Sequence, residues 1–237
     1  MSLTPSDKLR CLRGPEHTCG YLPGRQARNL YFLPDPHTGT HMHGELGRHG
    51  FRRSGNLLYR PDCEGCRQCI PVRVPVADFR PRRWQRRIRK RNQDVVARQV
   101  NNAFEPRHFR LYRRYVAARH AGGSMDSDDA EQYRDFILSH WASTEFWEFH
   151  ADGQLLAMAI IDLPGDGLSA MYTFFDPEAA QRSPGTFVIL WQIEEARRRG
   201  LDWLYLGYWI RENRKMAYKG DFRPLQIYRG GHWLTLE

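Results

Sequence analysis

Lysine is scarce in this sequence, whose 36 basic residues comprise 32 Arg and only four Lys. Hydrophobic runs of the roughly 18 residues that a membrane span needs are absent, and the opening segment lacks the apolar core of a secretory signal. Cysteine is also sparse, with five in 237 residues, which argues against a disulfide framework. These absences predict a cytoplasmic protein with reduced thiols and no membrane partner.

The usual motifs of nucleophilic and metal-dependent catalysis are missing as well. There is no G-x-S-x-G, no H-E-x-x-H and no Walker loop. The segment 181–186 could begin a helix that receives an anion, but its single glycine argues against a cradle for a long pyrophosphate. What is abundant is aromatic side chains, 13% of the chain, which predict an aromatic core or a pocket that stacks flat ligands.

Positive charge is concentrated in the first 91 residues of the chain. Residues 1–91 carry 19 basic against 7 acidic side chains, whereas residues 92–237 carry 17 against 20. One acid-free run alone supplies +8 of the net +9; its members are Arg80, Arg82, Arg83, Arg86, Arg87, Arg89, Lys90 and Arg91. Like charges one helical turn apart repel each other, and arginine forks match phosphate geometry. The run predicts a nucleic-acid contact; the alternative is a solvated helix with acidic partners elsewhere in the fold.

The pattern of hydrophobic residues predicts an α/β (or α+β) fold with a mixed sheet. Residues 1–91 are expected to form a small, loop-rich N-terminal domain that ends in the basic helix. Residues 92–237 are expected to form a second domain. The expected strands are 29–33, 55–60, 70–76, 146–150, 154–162, 168–175 and 201–207. One expected helix begins at residue 81 and has Trp84, Ile88 and Val95 on one side. Three further helices are expected at 106–120, 128–141 and 184–199, and Ser183 is the expected cap of the last one.

Three cysteines form a CxxCxxC motif at Cys63, Cys66 and Cys69, with Cys19 and Cys11 as further candidate ligands. Two thiolates at this spacing can bind one metal ion, and three with a distant fourth are typical of iron–sulfur ligation. A tight turn with reduced thiols has the same spacing. The motif leaves both interpretations open.

Several unusual strings follow one another along residues 17–230. They are Cys19-Gly20-Tyr21-Leu22-Pro23, Gly50-Phe51-Arg52-Arg53-Ser54-Gly55-Asn56, Tyr59-Arg60-Pro61 through Cys69, Arg119-His120, Tyr172-Thr173-Phe174-Phe175-Asp176-Pro177, Tyr205-Leu206-Gly207-Tyr208-Trp209-Ile210 and Lys215-Met216-Ala217-Tyr218-Lys219. Together they resemble the arginyl/leucyl-tRNA–protein transferase family, and the chain length and the Cys-x-Tyr-Leu form are similar to its bacterial branch.

This resemblance implies a C-terminal domain of the Gcn5-related N-acyltransferase kind. It also implies that leucine is moved from Leu-tRNA to proteins that begin with Asp or Glu, which marks them for degradation. The alternatives are a coenzyme-A-dependent N-acetyltransferase and a non-enzymatic RNA-binding protein. Relatives of the eukaryotic type carry a second Cys where this chain has Leu22, so one thiolate of their metal cluster is missing. We therefore expect no required cofactor besides the aminoacyl-tRNA co-substrate, with iron–sulfur or another metal at Cys63, Cys66 and Cys69 as the alternative.

The implied reaction is attack of a peptide α-amine on an aminoacyl ester. An α-amine has a pKa near ~7.7–8.0, so positioning and oxyanion stabilisation matter more than a strong base. In the implied fold the reactants meet where two central strands splay apart. The resulting candidates are Tyr172, Asp176, Tyr208 and Tyr218 for catalysis, Lys215, Lys219 and Arg119 for the acceptor carboxylate, and the basic run for tRNA. If residues 215–219 are helical, both lysines lie on one face of the helix. The alternative to a catalytic role is that the tyrosines belong to the core, and the alternative to acceptor binding is that the lysines are solvated surface residues.

Overall fold

The computed structural model of the protein describes residues 11–34, 39–123 and 126–236. The first part of the chain contains strands β1 (Cys11–Arg13), β2 (His17–Thr18), β3 (Gln26–Ala27), β4 (Asn29–Phe32), β5 (Arg52–Ser54) and β6 (Leu57–Pro61), with helix α1 (Gly39–Arg48). An antiparallel sheet has the order β1-β4-β6-β5, and β2 pairs with β3. A small core of Met42, Leu46, Phe51, Leu58 and Trp141 joins α1 to this sheet.

The large sheet has eight strands. They are β7 (Ile70–Pro75), β8 (Val96–Val100), β9 (Thr144–Ala151), β10 (Gln154–Asp162), β11 (Gly167–Phe175), β12 (Trp203–Trp209), β13 (Leu225–Arg229) and β14 (His232–Leu236). Their order is β14-β13-β7-β12-β11-β10-β9-β8. Only β11 and β12 pair in parallel among these described strands, so the predicted α/β fold with a mixed sheet is confirmed.

Helices cover both faces of the large sheet. Their bounds are α2 (Arg83–Arg91), α3 (Pro106–His120), α4 (Ala130–Ile137) and α5 (Pro184–Arg198), with short 3-10 helices at Pro177–Arg182 and Ala217–Asp221. Ile88 of α2 packs with α5 in the core on one face, and α3 and α4 enclose the core on the other. Helix α5 links β11 to β12, as the connection between parallel strands requires.

Some expected boundaries need correction. The expected helix at 128–141 ends at Ile137, because Leu138 has the extended conformation φ −84°, ψ 155°. Val95 lies beyond α2, which ends where Asn92 leaves helical geometry. Ser183 makes no side-chain cap to α5; it has a left-handed conformation, φ 53°, and its backbone carbonyl accepts from Phe187 N instead.

Strand β7 comes from the N-terminal half of the chain but lies between β12 and β13. Tyr205 of β12 pairs with Arg73 of β7, and Gln226 of β13 pairs with the other side of Arg73. The N-terminal half thus supplies an internal strand of the large sheet. The proposed division at residue 91 stays a prediction.

Candidate active site

The parallel strands β11 and β12 lie at the centre of the large sheet and separate partway along. Their pairing ends at Ser169 and Tyr205. Just beyond, β12 contains a bulge at Gly207, whose φ of 77° favours glycine. Residues 170–175 and 206–209 therefore border an opening, called the fork below.

Arg52 of β5 fills the apex of the fork. Its Nη1 donates to Ser169 Oγ at 2.9 Å and to Tyr205 O at 3.3 Å, and its Nη2 donates to Ala170 O at 2.5 Å. A Cβ at position 207 would lie 3.1 Å from Arg52 Nε, so Gly207 also permits this close approach. Within the described part of the chain, Arg52 forms no ion pair. It is not among the catalytic or binding residues predicted from the sequence.

A second basic side chain, Lys219, lies against the backbone of β12. It is only 8% exposed, and its Nζ donates to Tyr208 O at 2.9 Å. Burial and the charge of Arg52 lower the pKa of Lys219 to about 7, although Cys69 opposes the shift. Lys219, like Arg52, has no ion-pair partner among the described residues. Arg52 and Lys219, the latter with a pKa near neutrality, therefore lie at the fork without a carboxylate partner among the described residues.

An aromatic wall borders the fork on the β11 side. The ring centroid of Tyr115, from α3, lies 6.4 Å from that of Tyr172 and 4.9 Å from that of Phe175. The guanidinium of Arg119 lies 5.5 Å from the centre of the Phe175 ring. Burial raises the pKa of Tyr172, so its hydroxyl is protonated at neutral pH and can donate a hydrogen bond.

Two tyrosines expose their rings near this wall. Tyr218 is 41% exposed, yet burial raises the pKa of its hydroxyl to about 12, with Tyr115 and Arg52 also acting on it. Tyr21 is 43% exposed, and burial likewise raises its pKa. These rings can stack a flat ligand and still donate a hydrogen bond.

Further cations lie at the rim of this region. Burial lowers the pKa of His120, and the charges of Lys215 and Arg119 lower it further. Asn213 connects the rim to the N-terminal half: its Oδ1 accepts from Lys215 N at 2.9 Å, and its Nδ2 donates to Tyr21 O at 2.8 Å. Lys215 is exposed.

The helical spacing expected for Lys215 and Lys219 is wrong. The 3-10 helix begins at Ala217, so Lys215 precedes it, and the two lysines differ in environment. Lys215 is exposed, whereas Lys219 is buried against the backbone of β12. The two ammonium groups therefore do not share a solvent-facing surface.

Asp176 and Tyr208, two of the four predicted catalytic residues, have structural partners. Asp176 Oδ1 accepts from Arg114 Nη2 at 2.6 Å and from Glu178 N at 3.0 Å, which caps the 3-10 helix that follows β11. The hydroxyl of Tyr208 donates to the carbonyl oxygens of Gly50 and Tyr59, at 3.0 Å each, and thereby holds the N-terminal half against β12.

The basic run forms an exposed surface on α2. Every predicted tRNA-binding side chain is solvent-exposed: Arg82, Arg83, Arg86, Arg87, Arg89, Lys90 and Arg91. Of this set, in the ranges that the structure describes, Arg89 is the one in an ion pair, at 3.3 Å from Glu194. On the opposite side of α2, buried Gln85 donates to Asp221 O at 3.4 Å. Because Asp221 ends the 3-10 helix that carries Tyr218 and Lys219, the basic surface is anchored to the fork.

The cysteine motif follows strand β6 in the N-terminal half of the chain. Burial raises the pKa of Cys69 to about 12, and Cys63, Cys19 and Cys66 raise it further, so the four thiols are near one another. Arg25 Nη1 donates to Cys66 Sγ at 3.4 Å. No group of three or more His, Cys, Asp or Glu side chains in the described ranges is arranged to hold a metal ion. As arranged in the described part of the chain, these side chains do not fit a metal cluster.

We expect Cys66→Ser to leave the chemical step within about threefold of wild type, because the reaction that the sequence resemblance implies, aminolysis of an ester, transfers no electrons. Single-turnover rates with anaerobically purified protein, together with metal analysis, check this. Stoichiometric iron combined with a chemical step slowed ~100-fold, equivalent to about 2.7 kcal/mol, would contradict it.

Comparison with known proteins covers most of the chain. Two family models match, described as arginine-tRNA-protein transferase, N terminus, over residues 17–87 and C terminus, over residues 107–229. A protein from Chromobacterium violaceum is 49% identical over 220 residues, which are 93% of this chain and 91% of that protein. One from Pseudomonas fluorescens is 44% identical over 99% of this chain and 100% of its own length. A third, from Thiobacillus denitrificans, is 48% identical over 98% and 97%. All three are named aspartate/glutamate leucyltransferase.

These matches define an aminoacyltransferase, as predicted from the sequence. The chain belongs to the arginine-tRNA-protein transferase family, which confirms the predicted family. Within the described ranges, no helix is both long enough and apolar enough to cross a membrane.

Proposed function

We propose that this chain transfers leucine from Leu-tRNA to the N-terminal α-amine of proteins that begin with Asp or Glu, and so marks them for degradation. The similarity that carries the proposal is 44–49% identity, over nearly the whole chain, to proteins named aspartate/glutamate leucyltransferase. The amine attacks the aminoacyl ester directly, without a covalent enzyme intermediate. This fits a sequence without a nucleophile motif.

The fork supports a Gcn5-related acyltransferase architecture for the catalytic part. Two parallel strands are joined by α5 and diverge at the centre of the sheet, which is where reactants meet in that architecture. Residues 1–91 supply the basic surface and Arg52, and residues 92–237 supply the aromatic wall. Strand β7, which belongs to residues 1–91, lies inside the large sheet whose other strands come from residues 92–237.

Tyr172 and Tyr218 are the tyrosines we assign to catalysis. Their raised pKa values keep both hydroxyls protonated, so they serve as hydrogen-bond donors to the ester or to the leaving ribose oxygen. Asp176 and Tyr208 act through their structural contacts, which hold the end of β11 and the edge of β12. The α-amine needs little help with deprotonation, since its pKa is near ~7.7–8.0.

Leucine transfer is tested by following labelled leucine from Leu-tRNA to a peptide that begins with Asp. Arg-tRNA as donor and an Asn-starting peptide as acceptor are the matched controls. We expect transfer only from Leu-tRNA and only to the acidic N-terminus. Acetyl transfer from acetyl-coenzyme A would instead support an N-acetyltransferase, and tRNA binding without any transfer would support an RNA-binding protein.

The acceptor carboxylate needs a cation to compensate for its desolvation. Lys215 and Arg119 at the rim are exposed enough to meet it, whereas Lys219 is buried against the backbone of β12. We expect Lys215→Met to lower kcat/KM for an Asp-starting peptide by ~10–100-fold, the 1.4–2.7 kcal/mol of a charge-assisted hydrogen bond. The affinity for charged tRNA should change little.

Arg229→Met removes an exposed cation on β13 and is the matched control for lost charge. Steady-state rates with Asp-starting and Asn-starting peptides give the preference directly. If Lys215→Met and Lys219→Met both keep the full preference for Asp, these lysines do not bind the acceptor carboxylate.

A further inference from the structure

Arg52 is a half-buried cation that forms no ion pair with an acidic side chain of the described residues. Burial lowers its pKa, and no ion pair compensates it among the described residues. The carboxylate that acts on it from a distance, Asp162, is already bound by Arg53 at 2.8 Å. The neighbouring hydroxyls of Tyr59 and Tyr208 have pKa values raised by burial and are neutral. A charge that is partly removed from water and has no counter-charge is costly.

The position of Arg52 indicates what offsets this cost. Its guanidinium is fixed by three acceptors at the point where β11 and β12 part, and Gly207 leaves space beside Nε. The charge also reaches Tyr218 and Lys219, the side chains that border the fork. A fixed cation in a site of low dielectric stabilises negative charge that develops during a reaction, because it needs no reorganisation.

We propose that Arg52 is a catalytic residue that stabilises the oxyanion of the tetrahedral intermediate in aminoacyl transfer. This inference rests on the proposed function. The neutral amine nitrogen forms a bond to the ester carbonyl carbon, and the carbonyl π pair moves to the oxygen, beside the guanidinium. Collapse restores the carbonyl and breaks the bond to the ribose oxygen, which takes the proton that the nitrogen loses. The products are an amide and a free ribose hydroxyl, so atoms and electrons balance.

A purely structural role for Arg52 is the competing explanation. Its hydrogen bonds to Ala170 O and Tyr205 O bridge the two strands, and a neutral planar donor would satisfy the same oxygens. Guanidinium and urea have the same shape and similar donors but differ in charge. Adding each to Arg52→Ala therefore separates stabilisation of charge from bridging of strands.

We expect Arg52→Ala to slow single-turnover transfer about 10²–10³-fold, the loss typical of one oxyanion donor. Affinity for Leu-tRNA and acceptor KM should change less than about threefold, because the oxyanion exists only after binding. Guanidinium at a non-denaturing concentration should restore at least a tenth of the wild-type rate, whereas equal urea should not. Arg60→Ala removes a nearby arginine that lies over the Phe51 ring and donates to His49 O, and it is the matched control.

Arg52→Lys and Arg52→Gln provide an independent test if Arg52→Ala does not fold. The lysine keeps the charge and should be at least tenfold faster than the glutamine. The assignment would be overturned by any of three results. These are equal rescue of Arg52→Ala by urea and by guanidinium, equal transfer rates of Arg52→Lys and Arg52→Gln, or a loss that is confined to tRNA affinity. Absence of leucine transfer by wild-type protein would instead refute the proposed function, so the two failures are distinguishable.

Discussion

Arg53→Met is expected to lower the free energy of unfolding by about 3–5 kcal/mol, because it leaves Asp162 as an uncompensated buried carboxylate. Arg53 Nε lies 3.0 and 2.9 Å from the two Asp162 oxygens, and Nη2 lies 2.8 Å from Oδ1. The side chains are 0% and 1% exposed. Urea unfolding of wild type and variant measures the difference.

The dependence of this loss on pH has a definite sign. Burial by itself would raise the pKa of Asp162, but the charge of Arg53, with His43 and Thr144, outweighs it, and the pKa is lowered. In wild type, this stabilisation is present above the unfolded pKa, near ~3.9, and is lost as pH falls through the lower folded pKa. Without Arg53 the carboxylate is disfavoured, so the variant should regain stability relative to wild type as Asp162 becomes protonated.

Replacing both partners provides the control for this pair. Arg53→Met combined with Asp162→Leu removes both charges, and such apolar replacements often recover the stability that a single change loses. We expect the double variant to be more stable than Arg53→Met alone. If the free energy of unfolding of Arg53→Met lies within ~1 kcal/mol of the wild-type value at pH 7, the buried ion pair does not stabilise the contact between β5 and β10 as its geometry indicates.

Reversing two charges on α2 is expected to weaken tRNA binding on the order of 100-fold at low salt. Arg83 and Arg87 are one helical turn apart, both are exposed, and neither forms an ion pair within the described part of the chain. Each phosphate contact contributes about −0.9 to the slope of log affinity against log salt. We expect a slope of roughly −3 to −6 for wild type and a slope about two units shallower for Arg83→Glu with Arg87→Glu.

The loss should be similar for all tRNAs, since phosphate contacts do not read sequence. Arg98→Glu with Arg110→Glu makes the same change of net charge at exposed positions on β8 and α3. Salt titrations of both double variants separate a local surface from overall attraction. An unchanged slope in the α2 variant, or an equal change in the control, would contradict the proposed tRNA surface.

Helices and strands with a clear period of hydrophobic residues could be predicted from the sequence. Helix α3 has the expected bounds, and β10 matches the expected strand residue for residue, because one contiguous apolar pattern determines each of them. Helix α1 was missed, since it contains three glycines and its local propensity is poor. Tertiary packing requires one of them: a Cβ at Gly44 would lie 2.4 Å from Pro164 O.

The candidate site could be predicted only where side chains act locally. Tyr172 and Tyr218 were found through short strings and lie at the fork. Arg52 was missed because nothing in β5 indicates that its side chain reaches β11 and β12, more than a hundred residues later. The burial of Lys219 was missed for the same reason: it depends on the backbone of Tyr208.

The position of β7 has a consequence for biosynthesis. Arg73 pairs with Tyr205, 132 residues later in the chain, so this strand is made long before its central neighbour. At about 5–20 residues per second, the wait is roughly 7–26 s, during which an apolar strand has no permanent partner. The fork therefore cannot form until β12 has been synthesised, and a chaperone that shields residues 70–75 in this interval is expected to raise the yield of active enzyme.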